Sequence, residues 1–88
     1  MVRPKVIVAG RVQGVWFRES CRREATAAGV SGWVANRADG TVHAVLEGEP
    51  AAVDRVLAWI RRGPSRAEVT DVVVTVEEPV GEHGFIVR

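Results

Sequence analysis

Residues 5–29 read KVIVAGRVQGVWFRESCRREATAAG. The spacing of the apolar residues changes partway along this stretch, and that change decides the fold. Lys5 to Val12 is a β-branched run with apolar residues on both faces, as in a central strand covered on at least one side. Gly10 and Gly14 then bracket a loop, Gly10-Arg11-Val12-Gln13-Gly14-Val15-Trp16. From Phe17 to Ala28 the pattern is helical, with Phe17, Cys21, Ala25 and Ala28 on one face. Gly29 supplies a left-handed stop.

The rest of the chain extends this beginning. Val30 to Arg37 reads as a second strand with Trp33 and Val34 in its middle, and Ala38-Asp39-Gly40 carries the turn chemistry of a hairpin. Thr41 to Glu47 alternates, with Val42, Ala44 and Leu46 against Thr41, His43, Val45 and Glu47. Gly48-Glu49-Pro50 breaks that strand and opens a second helix, Pro50 suiting its first turn. Val53, Val56, Leu57 and Ile60 form its buried stripe, Ala52 and Trp59 flank it, and Gly63-Pro64 ends it. Ala67 to Glu77 is another strand, Pro79 to Gly84 a loop, and Phe85-Ile86-Val87 a short closing strand.

The order describes an α+β chain of ferredoxin-like type, βαββαβ plus a short C-terminal strand. Each helix has one apolar face, so both are expected on one side of a single antiparallel sheet. In this arrangement the first and second strands run parallel with the third between them. Their carboxyl ends therefore share an edge, the one the glycine-bracketed loop leaves from.

Length and composition agree. The 88 residues suit one domain, residues 1–88. A chain of this size buries about 60–70% of its unfolded surface. Hydrophobic residues are 47% and charged residues 26%, which excludes a disordered or collagen-like chain. The net charge of +1 gives no global pull toward nucleic acid or anionic lipid. One cysteine excludes an internal disulfide framework and any paired-cysteine metal or redox site. No apolar run is long enough to span a bilayer, and Met1-Val2-Arg3-Pro4 opens no signal-peptide pattern. A soluble cytoplasmic protein is expected. Lys5 is the sole lysine, and the remaining Lys and Arg positions are all arginine. Biased codon usage accounts for this, although arginine is also the useful choice where a planar fork must hold phosphate.

Gly10 to Arg18 holds the candidate chemistry. The first-turn amides of a helix have no intrahelical partner, and the dipole adds positive potential there. A glycine-containing loop can turn successive N–H groups toward one anion. Arg18, in the first helical turn, can grip the same anion through two parallel N–H···O bonds. Loop amides plus one arginine make a phosphate cradle. Read alone, the same residues equally describe a plain turn with Phe17 in the core and Arg18 in solvent.

The stretch GRVQGVWFR, followed by Gly32-Trp33-Val34-Ala35-Asn36 and Asp39-Gly40, resembles the acylphosphatase family. Members carry a Gly-Arg/Lys-Val-Gln-Gly-Val-x-Phe-Arg loop and a Gly-Trp-Val-x-Asn-x-x-Asp-Gly strand and turn. Both motifs match at the family's spacing, and the resemblance runs from Lys5 to Arg88. It implies that Arg18 binds phosphate, that Asn36 positions the attacking water, and that the backbone amides of Gln13, Gly14, Val15, Trp16 and Phe17 hold the phosphate oxygens. Trp16 fills a variable position and receives no chemistry of its own. The implied activity is hydrolysis of the carboxyl–phosphate bond of small acyl phosphates by in-line attack of water, with no metal and no cofactor. The implied partners are a small acyl phosphate and inorganic phosphate, as product and inhibitor. A monomer without nucleic-acid or membrane partners is expected.

That chemistry needs few residues. The leaving group is a carboxylate with a pKa of about 4–5, so it requires no general acid. Phosphoryl transfer depends mainly on positioning and charge stabilisation.

Other residues are set aside. Cys21 lies on the apolar helix face and reads as a small hydrophobe. His43 and His83 lack partners for a metal site and are expected at the surface. Arg61, Arg62 and Arg66 complement a helix C-terminus. Arg11 either adds positive potential to the loop or faces solvent. An RNA-binding module of the same topology stacks bases on aromatics of its central strands. KVIVAGRV and TVHAVLE have none. A metal chaperone would need paired cysteines in the first loop. A non-catalytic phosphate-binding or regulatory module of the same family is the serious rival. The chain ends just after its final strand, which favours the enzyme.

Overall fold

Val6 and Val8 alternate with Lys5 and Ile7, and this alternation becomes the two faces of a central strand. The computed structural model describes residues 1–88. Its elements are β1 (Arg3–Arg11), α1 (Phe17–Ala28), β2 (Ser31–Asn36), β3 (Val42–Glu47), α2 (Pro50–Arg62), β4 (Glu68–Glu77) and β5 (Phe85–Val87). They form one five-stranded sheet in the order β4-β1-β3-β2-β5. Both helices cover the face of Val6, Val8, Val34, Val42, Ala44 and Leu46, and these residues join Phe17, Cys21, Val53, Val56 and Ile60 in one buried core. Phe17 of α1 meets Trp59 of α2 at 5.3 Å between ring centroids. Trp59 is thus buried in the helix–helix contact, while Leu57, expected in the stripe, is only half-buried.

Two features, the direction of β5 and the burial of His43, differ from the sequence expectation. The sheet is mixed: four strands pair antiparallel as expected, but β5 pairs parallel with β2, Gly32 opposite Phe85. The reason is the route between β4 and β5. β4 ends with Glu77 opposite Arg3, at the edge where β1 begins. The loop of residues 78–84 crosses that same edge, so the next strand can only run away from it, alongside β2. His43 is half-buried rather than at the surface. Its cross-strand neighbours Ile7 and Ala35 enclose it on the face away from the helices, and its Nδ1 has no partner. Burial, with Arg37 and Lys5 nearby, lowers its pKa. β4 is an edge strand, and Val73, Val74 and Val76 are exposed because neither helix reaches them.

β1 carries a bulge between Ala9 and Gly10. Gly10 sits there at φ 119°, and a Cβ at that position would collide with the Glu68 carbonyl oxygen. Only glycine lets the end of β1 turn while still paired to β4.

The opposite sheet edge is closed by ions. Arg3 is buried and donates to Glu47 (Nη1 to Oε1, 3.0 Å), Glu77 (3.3 Å) and Glu82 (Nη2, 3.3 Å). Glu47 also accepts the amides of Val80 (2.9 Å), Gly81 (2.8 Å) and Glu82 (2.9 Å). This one carboxylate pins the crossing loop. The Val80 amide lowers the pKa of Glu47 to about 2 against the cost of burial, with help from Arg3 and the other two amides. A carboxyl depressed in the folded state stabilises that state above its unfolded pKa and loses the contribution as it is protonated. Stability should therefore fall as the pH drops from about 4.5 toward 2. Glu47→Gln should lower the urea midpoint at neutral pH and flatten this acid limb. Parallel wild-type and variant profiles across the window would show that the stability change comes from elsewhere.

Candidate active site

The loop after β1 is held to the core at three positions. Val12, Val15 and Phe17 are buried, whereas Gly14 and Trp16 between them are exposed. Gly14 (φ 72°) and Trp16 (φ 65°) are both left-handed, and Val15 between them is not. This alternation is the backbone pattern that turns successive N–H groups to one concave side. The amides of Gln13, Gly14, Val15 and Trp16 donate to no acceptor in the protein; the first loop-to-helix bond is Ser20 N to Trp16 O at 3.1 Å. The amides of Phe17, Arg18 and Glu19 follow in the first turn of α1, where helix geometry supplies no partner.

Gln13 ties this loop to the β2–β3 hairpin. Its Nε2 donates to Arg37 O (2.7 Å) and Thr41 O (2.9 Å). The hairpin is itself set by Asp39, whose Oδ1 accepts Thr41 N (3.0 Å) and Thr41 Oγ1 (2.6 Å). The Thr41 hydroxyl lowers the Asp39 pKa. Asp39 therefore orients Thr41, Thr41 receives Gln13, and Gln13 registers the loop against β2. The sequence reading credited Gln13 only with its backbone amide. Its side-chain role depends on a contact 24 positions away that no local pattern reveals.

Arg18 and Asn36 line one cavity of about 440 Å³, with Val12, Gly14, Trp16, Phe17, Glu19 and Val87. Arg18 is half-buried, and its Nη1 donates to the main-chain oxygen of Arg88 at 3.1 Å. That bond steadies the guanidinium while Nε and Nη2, the edge suited to a bidentate grip, stay without a protein partner. Asn36 ends β2, and its Oδ1 is buried with no hydrogen-bond partner. A buried acceptor without a partner costs free energy unless a ligand or water completes it. Gln13 and Val15 do not line this cavity; with Gly14, Arg11 and Arg66 they border a second cleft.

Glu19 and Val87 are additional cavity residues. Val87 is there because β5 runs parallel to β2 and ends at the same edge. Glu19 is held by Arg22 through two bonds of 2.7 Å and by Arg23 at 3.4 Å. Arg22 above all keeps its pKa down, to about 2. Cys21 is fully buried, and burial pushes its thiol up to about 12, the reverse of a nucleophile's environment. No group of three His, Cys, Asp or Glu side chains is placed to hold a metal ion.

Comparison with known proteins matches the acylphosphatase family model over residues 4–87. The acylphosphatase of Thermococcus kodakarensis is 52% identical over 84 residues, covering 96% of this chain and 92% of that protein. That of Rubrobacter xylanophilus is 53% identical over 88 residues, covering 98% and 79%. Among solved structures, the crystal structure of acylphosphatase from Bacillus subtilis superposes with a TM-score of 0.96 at 37% identity, covering 100% of this chain and 99% of that one.

Gln13→Ala should cost about 1–2 kcal/mol in urea unfolding, because two carbonyls lose their donor. An unchanged midpoint would show that Val12, Val15 and Phe17 hold the loop unaided.

Proposed function

This chain belongs to the acylphosphatase family and hydrolyses acyl phosphates; we propose that the loop amides of residues 13–17, Arg18 and Asn36 are the parts that do so. The amides take the phosphoryl oxygens. Arg18 closes over them with Nε and Nη2. Asn36 holds the attacking water in line, its Oδ1 accepting one water proton in a hydrogen bond. The observation that carries this reading is the buried, unpartnered Oδ1 of Asn36 in the same cavity as Arg18.

The water oxygen forms a bond to phosphorus as the bond from phosphorus to the acyl oxygen breaks. The electron pair leaves with the carboxylate. One water proton stays on the new P–OH, and the other passes to a phosphoryl oxygen. An acyl phosphate dianion and water thus become a carboxylate and dihydrogen phosphate, with charge conserved. The carboxylate is a good enough leaving group to need no proton and no metal. The transition state is loose, so fixed donors that strengthen as charge shifts among the phosphoryl oxygens supply the catalysis.

Inorganic phosphate retains the oxygens this cradle recognises and therefore competes with substrate. Residues 1–88 act as one domain around one core, and a monomer suffices because one chain supplies the whole site. The cytoplasm is the proposed compartment, because charged phosphorylated substrates do not cross a bilayer unaided.

Activity should persist at the full rate in excess chelator. Under those conditions Arg18→Lys should lower kcat/KM for acetyl phosphate by about 10²–10³-fold, since a point charge cannot replace the planar fork. Near-normal turnover would remove Arg18 from the site. Asn36→Ala should lower kcat by about 10²-fold while shifting the Ki of inorganic phosphate by less than about threefold, because its partner is water rather than phosphate. Equal losses in both would make Asn36 a structural residue.

A further inference from the structure

We propose that Trp16 is the acyl-group platform of this enzyme, a specificity residue whose indole stacks on flat, uncharged acyl groups and makes aromatic acyl phosphates better substrates than short aliphatic ones. The inference rests on the reading that the phosphoryl group lies in the cradle of residues 13–17.

Trp16 is the only non-glycine residue with a positive φ, at 65°. A bulky side chain rarely accepts that conformation, and such outliers persist where the surroundings enforce them, commonly at functional sites. Trp16 is 74% exposed, whereas Trp33 and Trp59 are 9% and 8% exposed. Its indole N–H donates to no group of the protein. It lines the cavity of Arg18 and Asn36.

Trp16 stands between the loop amides and Arg18 in the chain. Its backbone belongs to the cradle while its side chain extends outward from it. With the phosphoryl group in the cradle, the acyl group leaves through the mouth of the cavity, past the indole. Val87, 39% exposed at the end of β5, adds an apolar surface to the same cavity. An aromatic face and a valine offer contact to a flat apolar group and little to a methyl group.

The test compares kcat/KM for benzoyl phosphate and acetyl phosphate as a ratio in wild type, Trp16→Asn and Trp16→Phe. Asparagine tolerates the left-handed backbone, and phenylalanine keeps an aromatic face. Any disturbance of the amide cradle affects both substrates and divides out. The ratio should fall about tenfold in Trp16→Asn, mostly through KM for benzoyl phosphate, and stay within about threefold of wild type in Trp16→Phe. A ratio within about twofold of wild type in Trp16→Asn, or an equal fall in both variants, would overturn the proposal. A measurement on the wild type alone bears on it as well: benzylphosphonate should inhibit about tenfold more tightly than methylphosphonate, and equal Ki values would overturn the platform. Arg18→Lys in the same assays separates the two readings. Retained turnover there would sink the phosphate cradle, whereas a ratio insensitive to residue 16 would sink only the platform.

Discussion

A backbone amide shut away from water without an acceptor is expensive, and the loop after β1 carries four amides in succession, from Gln13 to Trp16, that have no acceptor in the protein. Such a segment collapses into ordinary turns or frays unless other contacts overrule it. Here the overruling contacts come from below and from the side. Val12, Val15 and Phe17 enter the core and fix the loop at three positions. The Gln13 side chain fixes it laterally to the β2–β3 hairpin. The free energy of burying three apolar side chains thus holds the loop in a shape that leaves these donors free of protein acceptors. Preorganised donors of this kind need no rearrangement when charge develops on a substrate, which is why they outperform water.

The opposite sheet edge serves the same end from a distance. Arg3, Glu47 and the amides of residues 80–82 hold the crossing loop after β4. That loop starts β5 at the edge where β1 begins, so β5 runs parallel to β2 and finishes beside the cavity. Val87 lines the cavity, and the Arg88 main-chain oxygen receives Arg18. An ion cluster at one end of the sheet therefore determines what surrounds the arginine at the other. Arg88 also lies over the Trp33 ring at 4.6 Å, which anchors the same segment to the face away from the helices.

The candidate machinery contains no strong acid, base or thiolate, and the surroundings explain why none is recruited. Cys21 is sealed in the core with its thiol pushed up to about 12. The Glu19 carboxylate is committed to Arg22 and Arg23. His43 is enclosed between Ile7 and Ala35 on the face away from the helices. What remains is main-chain N–H, one guanidinium and one amide side chain. For a substrate whose leaving group is already a stable carboxylate, these suffice.

The amino-acid order by itself determined the elements and the ferredoxin-like arrangement, because period and glycine stops are local signals, and two spaced motifs offered Arg18 and Asn36 as candidates through a family resemblance. Asn36 and the loop could be brought together on paper because parallel strands with a third between them share an edge. The mixed character of the sheet, the enclosure of His43, the Glu47 pin, the Gln13 staple and the place of Val87 in the cavity belong to the tertiary structure alone. Each depends on a pairing between distant segments, and a strand as short as Phe85–Val87 carries no periodicity that declares its direction. The exposure of Trp16 likewise had no sequence signal: nothing local distinguishes an indole that will be buried from one held out at a cavity mouth by a left-handed backbone.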